Sequence, residues 1–168
     1  MKLSQLVLKI TSLLILTMTN ACSQPKTFED QLEKLYKNTV PLMKAEQLQK
    51  SKEDNVFLLD TREAEEFAVS HLPGATWVGF EDFKMNRLEG IPKNAKVVLY
   101  CSVGYRSERI GEKLQGAGFT DVYNLYGGIF GWYNQKNPVV NSEGDTVQQI
   151  HAYNKKWGQW VERGEKIY

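Results

Sequence analysis

Lys96-Val97-Val98-Leu99-Tyr100 runs directly into Cys101-Ser102-Val103-Gly104-Tyr105-Arg106-Ser107, and a helical pattern takes over from there. The first five residues are apolar and β-branched enough for a buried strand. RSERIGEKLQGAGF carries Ile110 and Leu114 at helical spacing and is ended by glycines. Strand, tight loop and helix form an anion-cradling geometry, because loop N–H groups and the positive end of the helix dipole converge on the loop centre. Such a geometry can stabilise a thiolate, and Arg106 adds a permanent cation. On composition alone Cys101 also suits a small buried hydrophobe, the commonest state of a free cysteine. Such a residue has no use for Gly104 three positions on or Arg106 five positions on, so the pattern favours a reactive thiolate.

Two further segments flank the loop. Upstream lie Leu58-Leu59-Asp60-Thr61-Arg62-Glu63, then Glu66-Phe67, then His71-Leu72-Pro73-Gly74-Ala75; downstream lies Leu125-Tyr126-Gly127-Gly128-Ile129-Phe130-Gly131-Trp132. In this order the three pieces resemble the single-domain rhodaneses, a sulfurtransferase family, over about Leu42 to Val140. The resemblance implies an α/β, rhodanese-like fold with a central parallel β-sheet and helices on both faces. It also implies double displacement: Cys101 takes a sulfur from thiosulfate or a related donor, becomes a persulfide, and gives the sulfur to a thiol or cyanide. Cys101 and Arg106 are then the catalytic pair, Arg106 orienting the anionic donor. Ser102, Val103, Gly104, Tyr105 and Ser107 supply loop backbone and rim for the substrate, with Tyr105 read either as a substrate contact or as a plain surface aromatic.

Phosphatases of related architecture place five residues between cysteine and arginine, whereas only four separate Cys101 from Arg106, and position 107 is Ser. The tighter loop suits one extra sulfur atom better than a phosphoryl group. A phosphatase or arsenate-reductase-like enzyme therefore stands behind sulfur transfer, as does a non-catalytic binding or sensing module, for which Cys101, Gly104 and Arg106 would be superfluous. A persulfide-forming thiolate needs no general base, so Asp60 and Arg62 are expected to be structural, a cap and an ion pair. His71 precedes the turn signal Leu72-Pro73-Gly74 and is expected to hold that turn. With two histidines and two cysteines in all, the chain has no zinc-type ligand cluster, and neither metal nor cofactor is implied.

The chain alternates strand and helix patterns, which by itself predicts a parallel sheet covered on both faces. Helices are expected at FEDQLEKLYKN, AEQLQKSK, REAEEFAVS and after Cys101, with a short one at GGIFGWYNQ; strands are expected at Val56 to Leu59, Thr76 to Phe80, Lys96 to Tyr100 and VYNL. EDFKMNRLEG reads either way. Asn141 to Asp145 reads as a loop. Beyond it Ile150, Tyr153, Trp157, Trp160 and Val161 fall at helical spacing, an apolar stripe that folds back on the domain or, alternatively, faces a partner or a membrane surface.

The N-terminus carries a separate signal. Lys2 and Lys9, the apolar core Leu13 to Leu16 and the junction Thr19-Asn20-Ala21-Cys22 have a signal-peptide layout. Ala21-Cys22 resembles a bacterial lipoprotein box, which implies residues 1–21 as signal, lipidation of Cys22, a tether over 22–27, the rhodanese domain over 28–140 and a packed C-terminal extension over 141–168. The expected location is the bacterial cell envelope, lipid-anchored to a membrane; soluble periplasmic or secreted protein is the alternative, because Thr19 stands where lipoprotein boxes prefer Leu. The 21 basic and 20 acidic residues become 19 and 20 once Lys2 and Lys9 leave. No basic excess or stripe is then present to hold nucleic acid. The expected partners are a small-molecule sulfur donor and a thiol acceptor. No pattern in the sequence sets an oligomeric state.

Overall fold

In the computed structural model residues 27–51 and 55–168 are described. The proposed signal segment and Cys22 lie outside the described residues. Five strands form one sheet in the order β1-β5-β4-β2-β3: β1 (Leu42–Met43), β2 (Val56–Asp60), β3 (Thr76–Trp77), β4 (Lys96–Tyr100) and β5 (Asp121–Leu125). Every pairing is parallel. Parallel neighbours need long crossovers, and α3 (Ala64–Val69) lies between β2 and β3 while α4 (Tyr105–Gly116) joins β4 to β5.

The central strand β4 is apolar throughout because both its faces are covered. Val97 and Leu99 pack in one cluster with Ile110 and Leu114 of α4, and Val98 and Tyr100 point to the other cluster. That second cluster holds Leu32 of α1 (Phe28–Leu35), Leu48 of α2 (Ala45–Lys50) and Ile129 and Phe130 of α5 (Gly128–Asn134). Helix α1 opens with a reciprocal capping box, Asp30 N–H donating to Thr27 Oγ1 (3.0 Å) and Thr27 N–H to Asp30 Oδ2 (3.2 Å).

Register explains why three distant motifs meet. Asp60 stands beside Tyr100 and Leu99 beside Asn124. The carboxyl ends of β2, β4 and β5 are therefore side by side, and the segments that begin at Thr61, Cys101 and Tyr126 all leave from one sheet edge, where open parallel sheets bind their ligands.

Two expectations are corrected. The strand from Thr76 to Phe80 stops at Trp77, because both Val78 and Gly79 N–H groups donate to the same Asp60 carbonyl (2.8 and 3.3 Å) and Gly79 turns away at φ +72°. The tail is not one helix. β6 (Val139–Val140) and β7 (Thr146–Val147) form an antiparallel hairpin, and β8 (Gln149–His151) pairs in parallel with β9 (Glu165–Ile167) around the one-turn helix α6 (Lys155–Gly158). Ile150, Ala152 and Val161 are buried in the α1/α5 cluster, while Tyr153 is exposed. The ambiguous stretch after Glu81 holds a 3-10 turn at Met85–Leu88.

Candidate active site

Cys101 follows β4 immediately, and its sulfur accepts a hydrogen bond from Gly104 N–H (3.1 Å). Gly104 adopts φ +103° as the N-cap of α4, a left-handed conformation that costs glycine little. A side chain there would also overlap the Tyr36 ring. Tyr36 is the pillar behind the loop. Its hydroxyl donates to Val103 O (2.6 Å) and accepts from Gly127 N–H (2.9 Å), tying the cysteine loop to the downstream motif. The first bond within α4 runs from Glu108 N–H to Gly104 O. The N–H groups of Tyr105, Arg106 and Ser107 thus have no partner inside the helix, and the loop ends on a helix N-terminus.

The downstream glycines have an equally local cause. Ile129 N–H donates to Cys101 O (2.9 Å) and Phe130 N–H to Ser102 O (3.1 Å), so the start of α5 lies against the cysteine loop. Gly128, at φ +56°, has no room for a Cβ, which would overlap the Cys101 and Ser102 backbone.

Arg106 has a partner that the sequence did not single out. Its Nη1 and Nη2 donate to Glu66 Oε2 and Oε1 (2.6 and 2.8 Å), Nη2 also reaches Ser102 Oγ (3.0 Å), and Ser102 Oγ donates to Glu66 Oε1 (3.0 Å). Glu63 stands 3.8 Å away on the same guanidinium. Burial works to raise the Glu66 carboxyl, but the Arg106 hydrogen bonds and charge outweigh it and hold it below its ordinary value. Burial works against the Arg106 charge, and Glu66 together with the nearby Cys101 sulfur holds its pKa above the usual range. Glu66 was visible only as the acid of a Glu-Phe motif, and a helical acid reads as solvated.

Asp60 and Arg62 sit beneath this layer with fully buried side chains. Arg62 Nη2 donates to Asp60 Oδ2 (2.6 Å) and to Ser70 O (2.7 Å), and Arg62 N–H donates to Asp60 Oδ1 (2.9 Å). His71 is stacked on Phe67, its Nδ1 3.1 Å from Phe67 O, and its backbone exchanges two hydrogen bonds with Val140. The Ser107 side chain turns away from the cleft: its hydroxyl is fully buried and donates to Asn124 Oδ1 (2.7 Å), while Asn124 Nδ2 donates to Gly104 O (2.9 Å), so it braces the loop from the sheet side and leaves its backbone N–H at the start of α4.

Cys101 lies at a cleft of about 430 Å³ that Ser102, Val103, Tyr105 and Arg106 also line. The opposing residues were missed from sequence: Leu35 of α1, Phe80 and Glu81 after β3, and Tyr153 and Trp157 of the tail. The tail therefore reaches the site as well as the core. Its signal, aromatic residues at helical spacing, is the same one that marks packing.

The profile of the family described as Rhodanese-like domain matches residues 44–135. A sulfurtransferase of Allochromatium vinosum is 35% identical over 91 residues, which cover 54% of this chain and 84% of that protein. A tRNA uridine(34) hydroxylase of Buchnera aphidicola is 32% identical over 88 residues, covering 49% of this chain but only 28% of the hydroxylase. Among solved structures, the rhodanese-like domain of an Anabaena protein has a TM-score of 0.56 at 23% identity, covering 60% of this chain and 79% of that one. A thiosulfate sulfurtransferase of Pseudomonas aeruginosa has the same TM-score at 20% identity, covering 61% of this chain and 20% of that one, which is a likeness of fold.

Proposed function

Because the chain belongs to the rhodanese-like domain family, a family of sulfur-transfer chemistry, we propose that it is a sulfurtransferase in which Cys101 carries the sulfur. The Cys101 thiolate attacks the outer sulfur of thiosulfate or a related sulfane-sulfur donor. The donor's S–S bond breaks, sulfite leaves with the bonding pair, and Cys101 becomes a persulfide. An acceptor thiolate or cyanide then attacks the outer sulfur, and Cys101 departs as thiolate. No base is required in either step. The observation that carries this reading is the Gly104 N–H donated to Sγ at 3.1 Å, at the N-terminus of α4 and beside Arg106. That arrangement stabilises negative charge on sulfur in both the thiolate and the persulfide.

Mass spectrometry of the purified protein after exposure to thiosulfate should reveal a gain of one sulfur mass, and Cys101→Ser should lose both that adduct and turnover. Undiminished turnover in Cys101→Ser would overturn the mechanism. We propose in addition that the protein is exported and acylated at Cys22, a reading supported by the apolar core Leu13 to Leu16 and the Ala21-Cys22 junction.

A further inference from the structure

Part of the cleft wall comes from outside the residues that the family profile matches: Leu35 before them, and Tyr153 and Trp157 after them. Tyr153 is the most unusual of the three. It holds φ +64°, a left-handed conformation that a bulky aromatic rarely adopts, and the residue is 49% exposed, so burial is not what keeps it there. Both flanks are fixed instead. Ala152 N–H donates to Ile167 O (2.8 Å), Tyr153 N–H donates to His151 Nδ1 (3.2 Å), and the Asn154 side chain caps α6 by accepting from Trp157 N–H (3.1 Å). The result puts the Tyr153 ring 5.2 Å from the Arg106 guanidinium carbon, at the cleft that Cys101 lines. Backbone strain retained at an exposed aromatic beside a reactive group is a mark of function more than of packing.

The cleft's size and charge point the same way. About 430 Å³ is the scale of a site for an organic molecule, and a small inorganic anion would leave most of it to water. Arg106 is the cation of this wall, and Glu66 already takes both of its Nη groups while Glu63 and Glu81 stand at the cleft. With the guanidinium already engaged by Glu66 and two carboxylates standing at the cleft, Arg106 is not free to pair with a carboxylate carried on an acceptor's organic group, whereas a sulfur anion at Cys101 meets the loop N–H groups.

We infer that Tyr153 and Trp157 set the acceptor class: a thiol carried on a neutral apolar or aromatic group, seated against the two rings with its sulfur at Cys101. The inference rests on the persulfide reading above. In the step it concerns, the acceptor thiolate RS⁻ attacks the outer sulfur of Cys101–S–SH, the new S–S bond gives RS–SH, and the Cys101 Sγ–S bond breaks to return the thiolate, so no oxidant or reductant is consumed.

The test uses the protein loaded with inorganic polysulfide, the Cys101 adduct being verified by mass, and compares transfer to benzyl mercaptan, 2-mercaptoethanol and anionic mercaptosuccinate. The kcat/KM for benzyl mercaptan should exceed that for 2-mercaptoethanol at least tenfold, mainly through KM, and mercaptosuccinate should be the poorest. That ratio should fall at least fivefold in Tyr153→Asn, which tolerates the positive φ, and in Trp157→Ala, yet stay within twofold of wild type in Tyr153→Phe. Loading without discrimination among the three thiols, or a ratio unmoved by Tyr153→Asn and by Trp157→Ala, would overturn the inference and leave the sulfurtransferase reading standing. Failure of Cys101 to load from any donor would overturn both.

Discussion

Replacing Arg106 by Gln should damage stability as well as sulfur transfer, because the guanidinium is half of a buried ion pair. The Glu66 side chain is 3% exposed and that of Arg106 is 14% exposed, with contacts of 2.6 and 2.8 Å. Removing one member of such a pair strands the other, at a cost of about 3–5 kcal/mol when burial is complete. Arg106 borders the cleft, so water softens the penalty, and about 2–4 kcal/mol is expected, or roughly 5–15 °C in Tm for a domain of this size. Urea unfolding followed by tryptophan fluorescence measures it. The pH dependence has a definite sign. Glu66 is held below its ordinary value of 4.5, so the pair's stabilisation is complete above about pH 4.5 and is lost as pH falls through the lower folded value. In Arg106→Gln the stranded carboxyl protonates more readily, so the gap between wild type and variant should narrow as the medium is acidified. Adding Glu66→Gln to the variant should recover at least about 1 kcal/mol by removing the unpaired charge. Equal stability of wild type and Arg106→Gln at pH 7, or a gap that widens in acid, would refute the reasoning.

Gly128→Ala forces a Cβ into the Cys101 and Ser102 carbonyl region at a positive φ; backbone cannot yield as a side-chain tip does, so a loss of about 3 kcal/mol or more is expected in thermal unfolding, with impaired sulfur loading in the folded remainder. Tyr36→Phe removes the hydroxyl between Val103 O and Gly127 N–H, leaving two buried polar groups unpaired at about 1–3 kcal/mol, and loading of Cys101 should slow because the loop loses its brace. Full-length protein expressed in a bacterial host should fractionate with membranes and incorporate labelled fatty acid, whereas Cys22→Ala should do neither; soluble, unlabelled wild type would favour plain secretion.

What sequence makes legible here depends on how far apart the determining residues lie. The Cys101 loop is local: strand, Gly104 and helix are contiguous, so anion-cradling geometry follows from the order and spacing of neighbouring residues, and the parallel order of β2, β4 and β5 then brings Asp60, Cys101 and Gly128 to one edge. Glu66 is different. Its partner Arg106 is 40 residues away, and a glutamate in the first turn of a six-residue helix looks like any solvated cap. The tail misled for a physical reason as well. Three residues of β8 are too few to display a two-residue alternation, and their strand conformation is fixed by pairing with Glu165–Ile167, which no local propensity announces. Helical spacing among Ile150, Tyr153 and Trp157 was therefore real without a helix spanning them. Their fates separate at that point: Ile150 enters the core, whereas Tyr153, turned outward by its positive φ, and Trp157 reach the cleft. A reactive sulfur can be built from one short contiguous motif, but the wall that selects what approaches it draws on α1, the segment after β3 and the tail, and only the folded chain brings those together.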